Sequence, residues 1–430
     1  MKIFIEPARS EWGQITQRPA LDNQSLVGKV TEVLEAVKSG GDQAVKQFTA
    51  AFDGVQLADL SVCDQEWAEA ESLISEDLKT AIQKAAANIE AFHKKQALEM
   101  APVETQAGVT CWRKSVGIEK VGLYIPGGSA PLFSTILMLG IPANIARCKE
   151  VVLCSPPDKA GKLHPAILFA AKLVGIQKVY KIGGVQAIGA MAFGTESVPR
   201  VFKIFGPGNQ YVTCAKELVQ RSGIAIDMPA GPSEVLVLAD QSANPIYVAA
   251  DLLSQAEHGP DSQAILITTS RSLATTVEQE VLRQLEELPR KGIAEKALEN
   301  SKLVVVSNMD EAIELSNSYA AEHLIIATEA PERAAADIIN AGSVFLGHYS
   351  PESVGDYASG TNHTLPTNGY ATAYSGVSLD SFVRKITFQK LTPEGLRGIA
   401  DTVVTMAEAE GLRAHALAVS RRLQKDNDLP

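Results

Sequence analysis

From about Ser25 to Met100, apolar residues recur at helical spacing with few breakers, as in Val27-Gly28-Lys29-Val30-Thr31-Glu32-Val33-Leu34 and Ala85-Ala86-Ala87-Asn88-Ile89-Glu90-Ala91-Phe92. This spacing predicts a helical lead-in. Near Thr110 the pattern changes to short apolar runs of strand length, at 121–125, 151–154, 201–205, 235–238, 264–268, 303–306, 323–327 and 343–346, separated by glycine-rich turns and helical stretches. Continuous apolar strands alternating with helices predict parallel sheets covered on both faces. So many strands are better shared between two α/β units than forced into one sheet. From Leu391 the spacing is helical again, with Gly411 interrupting it, which predicts a small appended helical unit.

One predicted helix ends in polar rather than apolar residues. Asn244 suits an N-cap, Pro245 suits the first helical position, and Gly259-Pro260 stops the helix, so Gln255 and His258 fall in its last turn. Gln255 continues the row of Val248 and Leu252, where core would be expected. Burying an unpartnered amide or imidazole costs on the order of 1–3 kcal/mol, so this pair needs partners, either in a hydrogen-bonded helix end or in a metal site.

Three further places carry candidate chemistry. Glu322-His323 opens an apolar strand; at a strand's start the backbone can turn enough for both side chains to line one pocket, as general base and water-activating carboxylate, or they form a solvated pair. Asp356 sits in the small-residue loop Gly355-Asp356-Tyr357-Ala358-Ser359-Gly360-Thr361-Asn362-His363, and His415 follows Glu410-Gly411-Leu412-Arg413-Ala414 in the terminal helix. Gln255, His258, Asp356 and His415 make an N/O donor set that suits Zn²⁺ or Mn²⁺, provided folding brings them together.

The turns Pro126-Gly127-Gly128-Ser129, Gly183-Gly184-Val185-Gln186, Gly206-Pro207-Gly208-Asn209 and Ala230-Gly231-Pro232-Ser233-Glu234 fit a nucleotide at the carboxyl ends of strands. They fit tight strand-to-helix turns equally well, since none matches the full G-x-G-x-x-G pattern.

Composition narrows the class. With 430 residues and 46% hydrophobic content the chain has ample core for two to four domains of roughly 100–200 residues each. The balance of 39 basic to 50 acidic residues, −11 at neutral pH, argues against nucleic acid or an anionic membrane as partner. The start Met1-Lys2-Ile3-Phe4-Ile5-Glu6-Pro7 lacks a signal peptide's apolar core, and no run reaches the roughly 18 apolar residues of a membrane span, so the expected location is cytoplasmic. Five cysteines without paired spacing (Cys63, Cys111, Cys148, Cys154, Cys214) predict reduced thiols.

Several of these blocks together resemble the histidinol dehydrogenase family. They are Ile226-Asp227-Met228-Pro229-Ala230-Gly231-Pro232-Ser233-Glu234, Asp251-Leu252-Leu253-Ser254-Gln255-Ala256-Glu257-His258-Gly259 and Ala320-Ala321-Glu322-His323-Leu324, then Gly360-Thr361-Asn362-His363-Thr364-Leu365-Pro366-Thr367 and Tyr374-Ser375-Gly376. The likeness covers nearly the whole chain. It implies oxidation of L-histidinol through L-histidinal to L-histidine with two NAD, the last steps of histidine biosynthesis. By match to the family's motifs, Gln255, His258, Asp356 and His415 would hold zinc and Glu322 and His323 would form the catalytic pair. Ser233, His363 and Glu410 would touch substrate together with Gln255, His258, His323, Asp356 and His415, while Tyr124, Gln186 and Asn209 would contact NAD. The fold implied is α/β, with two incomplete Rossmann-like, aldehyde-dehydrogenase-like parallel-sheet domains and small terminal units intertwining a homodimer. The expected boundaries are an N-terminal segment 1–24, a first α/β domain of 25–122 with 235–378, a second of 123–234 on the NAD side, and a C-terminal helical dimerisation unit 379–430. His415 and Glu410 would then serve the other subunit's site.

Two competing readings remain at this level. A zinc hydrolase would use two histidines, an aspartate and the Glu-His pair to activate water without NAD. A binding protein for an imidazole compound would keep the metal without turnover.

Overall fold

The computed structural model describes residues 1–19, 23–127 and 131–424. Gly128 and Ser129 of the first glycine-rich turn therefore lie outside the described residues. The chain divides into two compact units, one of Met1–Gln96 with Ile118–Phe382 and one of Ala97–Gly117 with Val383–Pro430.

In chain order the strands are β1 (Lys2–Ile5), β2 (Val103–Gln106), β3 (Val109–Gly117), β4 (Lys120–Tyr124), β5 (Glu150–Ser155), β6 (Lys178–Lys181) and β7 (Lys203–Phe205). They continue as β8 (Ala225–Ile226), β9 (Glu234–Ala239), β10 (Gln263–Thr268), β11 (Lys302–Val305), β12 (His323–Ala327), β13 (Ser343–Leu346) and β14 (Val383–Leu391). The first unit holds two parallel sheets, ordered β1-β11-β10-β9-β12-β13 and β6-β5-β4-β7-β8. This is the α/β class expected from the alternating pattern, and all eight expected strands are present.

The buried run of β9 shows why the larger sheet forms. Val235, Val237 and Ala239 face a core made with Val248 and Leu252 of helix Pro245–Ala256 and with Val277 of helix Arg271–Leu285. Leu236 and Leu238 face the opposite core, against Ala312 and Leu315 of helix Met309–Tyr319. Each such side chain contributes on the order of 1.5–3 kcal/mol by leaving water, which is why the strand needs no polar alternation.

The lead-in forms helices Asn23–Phe48, Asp64–Ala70 and Glu76–Lys94. Val30, Leu34 and Val37 of the first of these pack onto Ile188 and Met191 above the five-stranded sheet. In the second unit, β14-β3-β2 form an antiparallel sheet, followed by helices Pro393–Ala409 and Arg413–Ser420. The C-terminal stretch is thus not helical throughout. The strand Val383–Leu391 was not expected because it lacks the continuous apolar run of the other strands, Arg384, Lys385 and Lys390 breaking up its apolar positions; Trp112 of β3 stacks on its Phe388 at 5.4 Å. Among the described residues no helix is long and apolar enough to cross a membrane.

Candidate active site at the amino ends of β9 and β12

The expected helix is capped by Asn244, whose side chain accepts from the Ile246 N–H at 2.9 Å, and Pro245 occupies its first position. It ends at Ala256, so Gln255 is in the last turn while His258 stands on the turn just beyond, its N–H donating to the Gln255 carbonyl at 3.2 Å. Gln255 is fully buried and fully partnered. Its side-chain NH₂ donates to Glu352 at 2.9 Å and its oxygen accepts from the Glu234 N–H at 2.8 Å.

Glu322 and His323 meet at the start of β12. Helix Met309–Tyr319 ends on Ala320, a buried non-glycine residue at φ 53°, a conformation costing on the order of 1–3 kcal/mol that the surrounding core has to hold. The chain turns there, and both side chains enter one buried pocket with His323 Nδ1 3.6 Å from Glu322 Oε2. Gly342 lets β13 approach, because a Cβ at that position would run into the Glu322 carbonyl.

His323 is the centre of the cluster. Its Nδ1 lies 3.2 Å from the Glu234 carbonyl, its Nε2 3.2 Å from Asp356 Oδ1, and Glu352 Oε2 is 4.0 Å from Nδ1. Burial by itself would lower the imidazole's pKa, but Glu322, Asp356 and Glu352 together hold it well above the ordinary histidine range. Burial pushes the Glu322 and Glu352 carboxyls up, with His323 opposing both shifts. Burial also opposes ionisation of Asp356, yet the hydrogen bond and charge of His323, with His363 and His258 nearby, keep its carboxyl below the usual range. His258 is lowered by desolvation, with Asp356 opposing and His323 and His363 adding to the drop. His363 Nδ1 sits 2.8 Å from the Asp356 carbonyl and its Nε2 3.0 Å from Thr135 Oγ1.

Gln255, His258, Glu322, His323, Asp356 and His363 are thus brought together, with Ser233 one residue before β9. Glu410 and His415 lie in the second unit, exposed, at the end of one terminal helix and on the next. Glu352 is a member of the cluster that the sequence pattern did not single out. It is 1% exposed, it accepts from Ser254 Oγ at 2.9 Å, and among the described residues its Oε2 has no hydrogen-bond partner. Glu352 and Asp356 stand four apart on helix Glu352–Tyr357, a paired-carboxylate spacing on one helix face that could have found it.

The NAD candidates gather at the carboxyl ends of the five-stranded sheet. Tyr124 closes β4 and its hydroxyl accepts from the Gly184 N–H at 3.1 Å; burial drives its pKa up to about 12. Gln186 is fully buried, its NH₂ 3.5 Å from Asp53 Oδ2, and its Oε1 has no partner among the described residues. Asn209 caps helix Gln210–Gln220, its side-chain oxygen accepting from the N–H groups of Tyr211 and Val212. At Gly206, φ 128°, a Cβ would collide with the Tyr124 carbonyl, so the turn after β7 requires glycine.

Among the described residues no group of three or more His, Cys, Asp or Glu is arranged to hold a metal ion. His258, Asp356 and the Gln255 amide make a partial donor set. Its surroundings nevertheless fit a cation: the carboxyl groups of Glu322, Glu352 and Asp356 crowd one imidazole, and Glu352 Oε2 has no hydrogen-bond partner among the described residues.

Fold and site define an α/β protein with two parallel sheets and a small antiparallel one, carrying a carboxylate–imidazole cluster at the six-stranded sheet. The family model for histidinol dehydrogenase matches residues 16–423. Histidinol dehydrogenase of Bacteroides thetaiotaomicron is 62% identical over 423 residues, covering 98% of this chain and 99% of that protein. The one from Aliivibrio fischeri is 54% identical over 430 residues, covering 99% and 97%. The crystal structure of histidinol dehydrogenase from Elizabethkingia anophelis matches with a TM-score of 0.96 at 55% identity, over 98% of each chain. This chain belongs to the histidinol dehydrogenase family.

Proposed function

We propose that the protein is a cytoplasmic, NAD-dependent oxidoreductase that converts L-histidinol through L-histidinal to L-histidine, the closing steps of histidine biosynthesis. The observation that carries this reading is the convergence of Glu322, His323, Asp356 and Glu352 in one buried pocket of a chain 62% identical to a histidinol dehydrogenase.

His323 is held by its Nδ1 on the Glu234 carbonyl, and the carboxyls around it keep Nε2 protonated against Asp356. Nε2 can take the proton of the substrate alcohol once it has given up its own and Asp356 has turned to another partner. Asp356 now engages that nitrogen and has to release it. The same carboxylate, with Gln255, His258 and His415, is assigned to hold Zn²⁺, a role for which Gln255 must exchange its present partners. When bound, zinc supplies the charge that fixes the substrate's imidazole and amine, and NAD accepts the hydride. Glu352, whose Oε2 has no hydrogen-bond partner among the described residues, is assigned to accept a hydrogen bond from the substrate's amine N–H, and His363, with its Nδ1 on the Asp356 carbonyl, and Ser233 are assigned to substrate as well. For the second oxidation Glu322 activates water to hydrate the aldehyde, and the hydrate is again an alcohol whose proton His323 can accept. Tyr124, Gln186 and Asn209 receive NAD, with Gln186 Oε1 free to accept a hydrogen bond from it.

The reading includes a homodimer in which His415 and Glu410 complete the partner's site. Mixing His415→Ala with His323→Ala chains is then expected to recover activity; none after verified subunit exchange would refute the sharing. The reaction itself is tested by following NADH from L-histidinol after chelation and after added Zn²⁺. Turnover lost on chelation and restored by zinc supports it; no NADH with any divalent metal, and no NAD binding, would favour a hydrolase.

A further inference from the structure

Glu234 touches three members of the site through its backbone. Its N–H donates to Glu322 Oε2 at 2.9 Å and to the Gln255 side-chain oxygen at 2.8 Å, and its carbonyl faces His323 Nδ1 at 3.2 Å. Its carboxylate, almost fully buried, is gripped from the other side by Arg18, Nε to Oε1 at 2.5 Å and Nη2 to Oε2 at 2.9 Å, and it accepts from the Asn368 N–H at 2.8 Å. Arg18 Nη2 also donates to the Tyr319 carbonyl at 2.7 Å, and the guanidinium lies over the Tyr319 ring, 4.1 Å from its centre. Tyr319 immediately precedes Ala320, the strained residue from which Glu322 and His323 are launched. One guanidinium therefore ties the amino end of β9 to the amino end of β12, the two places from which the cluster hangs.

We propose that Arg18 and Glu234 are positioning residues for the Glu322–His323 pair, a role that rests on the oxidoreductase reading above. Neither side chain has to touch substrate. The fork keeps the Glu234 peptide where its N–H and C=O orient a carboxyl, an amide and an imidazole together, and the planar geometry matters because lysine could supply the charge but not the two-point grip on both carboxylate oxygens. Arg18, in the N-terminal segment expected at 1–24, is on this view part of the active-site frame.

The test uses Arg18→Lys and, in case a lone buried carboxylate prevents folding, the paired change Arg18→Met with Glu234→Gln, each compared with the unaltered protein. Steady-state kinetics on L-histidinol are combined with amide hydrogen exchange of the peptides covering 230–240 and 318–327. The expected result is kcat down about 10-fold or more with KM for histidinol within about two-fold and the protein folded, together with faster exchange confined to those two peptides. A kcat within about two-fold of the unaltered protein, or a loss that only tracks the unfolded fraction with faster exchange throughout, would overturn the proposal. If the unaltered protein makes no NADH from histidinol, the oxidoreductase reading fails. Exchange then decides the positioning role alone: localised acceleration upholds the coupling, and unchanged exchange refutes it.

Discussion

The two parallel sheets of the first unit differ at the ends proposed for chemistry. At the carboxyl ends of the five-stranded sheet, glycine-rich turns leave the backbone open and keep groups in reserve, as with the unpartnered Oε1 of Gln186. At the amino ends of β9 and β12 in the six-stranded sheet, most polar atoms are already engaged with one another, Glu352 Oε2 being an exception, and three carboxyl groups face one imidazole. The first arrangement follows the general rule for ligands on open α/β sheets; the second departs from it. Reserve groups suit a cofactor that comes and goes, whereas a pre-engaged cluster suits atoms that must stay oriented through two successive oxidations.

Substitutions can break the contrast, and the largest effect belongs at the amino ends. His323→Ala is expected to lower kcat about 1000-fold with NAD affinity unchanged, read by steady-state kinetics and NAD titration. Glu322→Gln is expected to slow oxidation of added histidinal more than that of histidinol, and equal losses in both half-reactions would remove its water-activating role. At the carboxyl ends, Gln186→Ala should raise KM for NAD about 10-fold while leaving kcat for saturating NAD near normal; a kcat effect instead would erase the proposed division of labour.

A smaller effect concerns stability. Asp251, on the helix that carries Gln255, is raised by burial to about 7, above the roughly 3.9 of an unfolded chain. Between those values the folded protein keeps a proton that the unfolded chain has lost. Stability from this group is therefore full below about pH 4 and falls as the pH climbs to about 7. Asp251→Asn should raise Tm by about 2–4 °C at pH 8 and leave it unchanged near pH 4, as measured by calorimetry. The smallest effect is expected from Cys154→Ala and Cys214→Ala. Both thiols are buried and raised in pKa by that burial, so activity should survive, and loss of turnover in a folded variant would reopen a covalent thiol route.

How much of this could be read from the chain follows from where the signals are local. Apolar runs such as 235–238 announce themselves because both faces of the strand are covered, and Asn244-Pro245 marks a helix start by local hydrogen bonding. The strand Lys178–Lys181 did not stand out because lysine closes it at both ends, one of them paired with Glu66 from a helix far away in sequence. Within the site, Gln255 was conspicuous as a polar residue in an apolar row. Glu352 stands in a helix's first turn, where acidic residues are ordinary; its spacing of four from Asp356 was the one local signal, and its burial against His323 is what makes it stand out. Arg18 gave no signal at all, since its partner is 216 residues away.

The most direct measurement is the number of NADH formed per L-histidinol consumed by the zinc-loaded protein. Two NADH per histidinol, with histidine as the product, is the expected result. One NADH per histidinol with histidinal accumulating would contradict the claim that a single buried Glu322–His323 pair carries both oxidations.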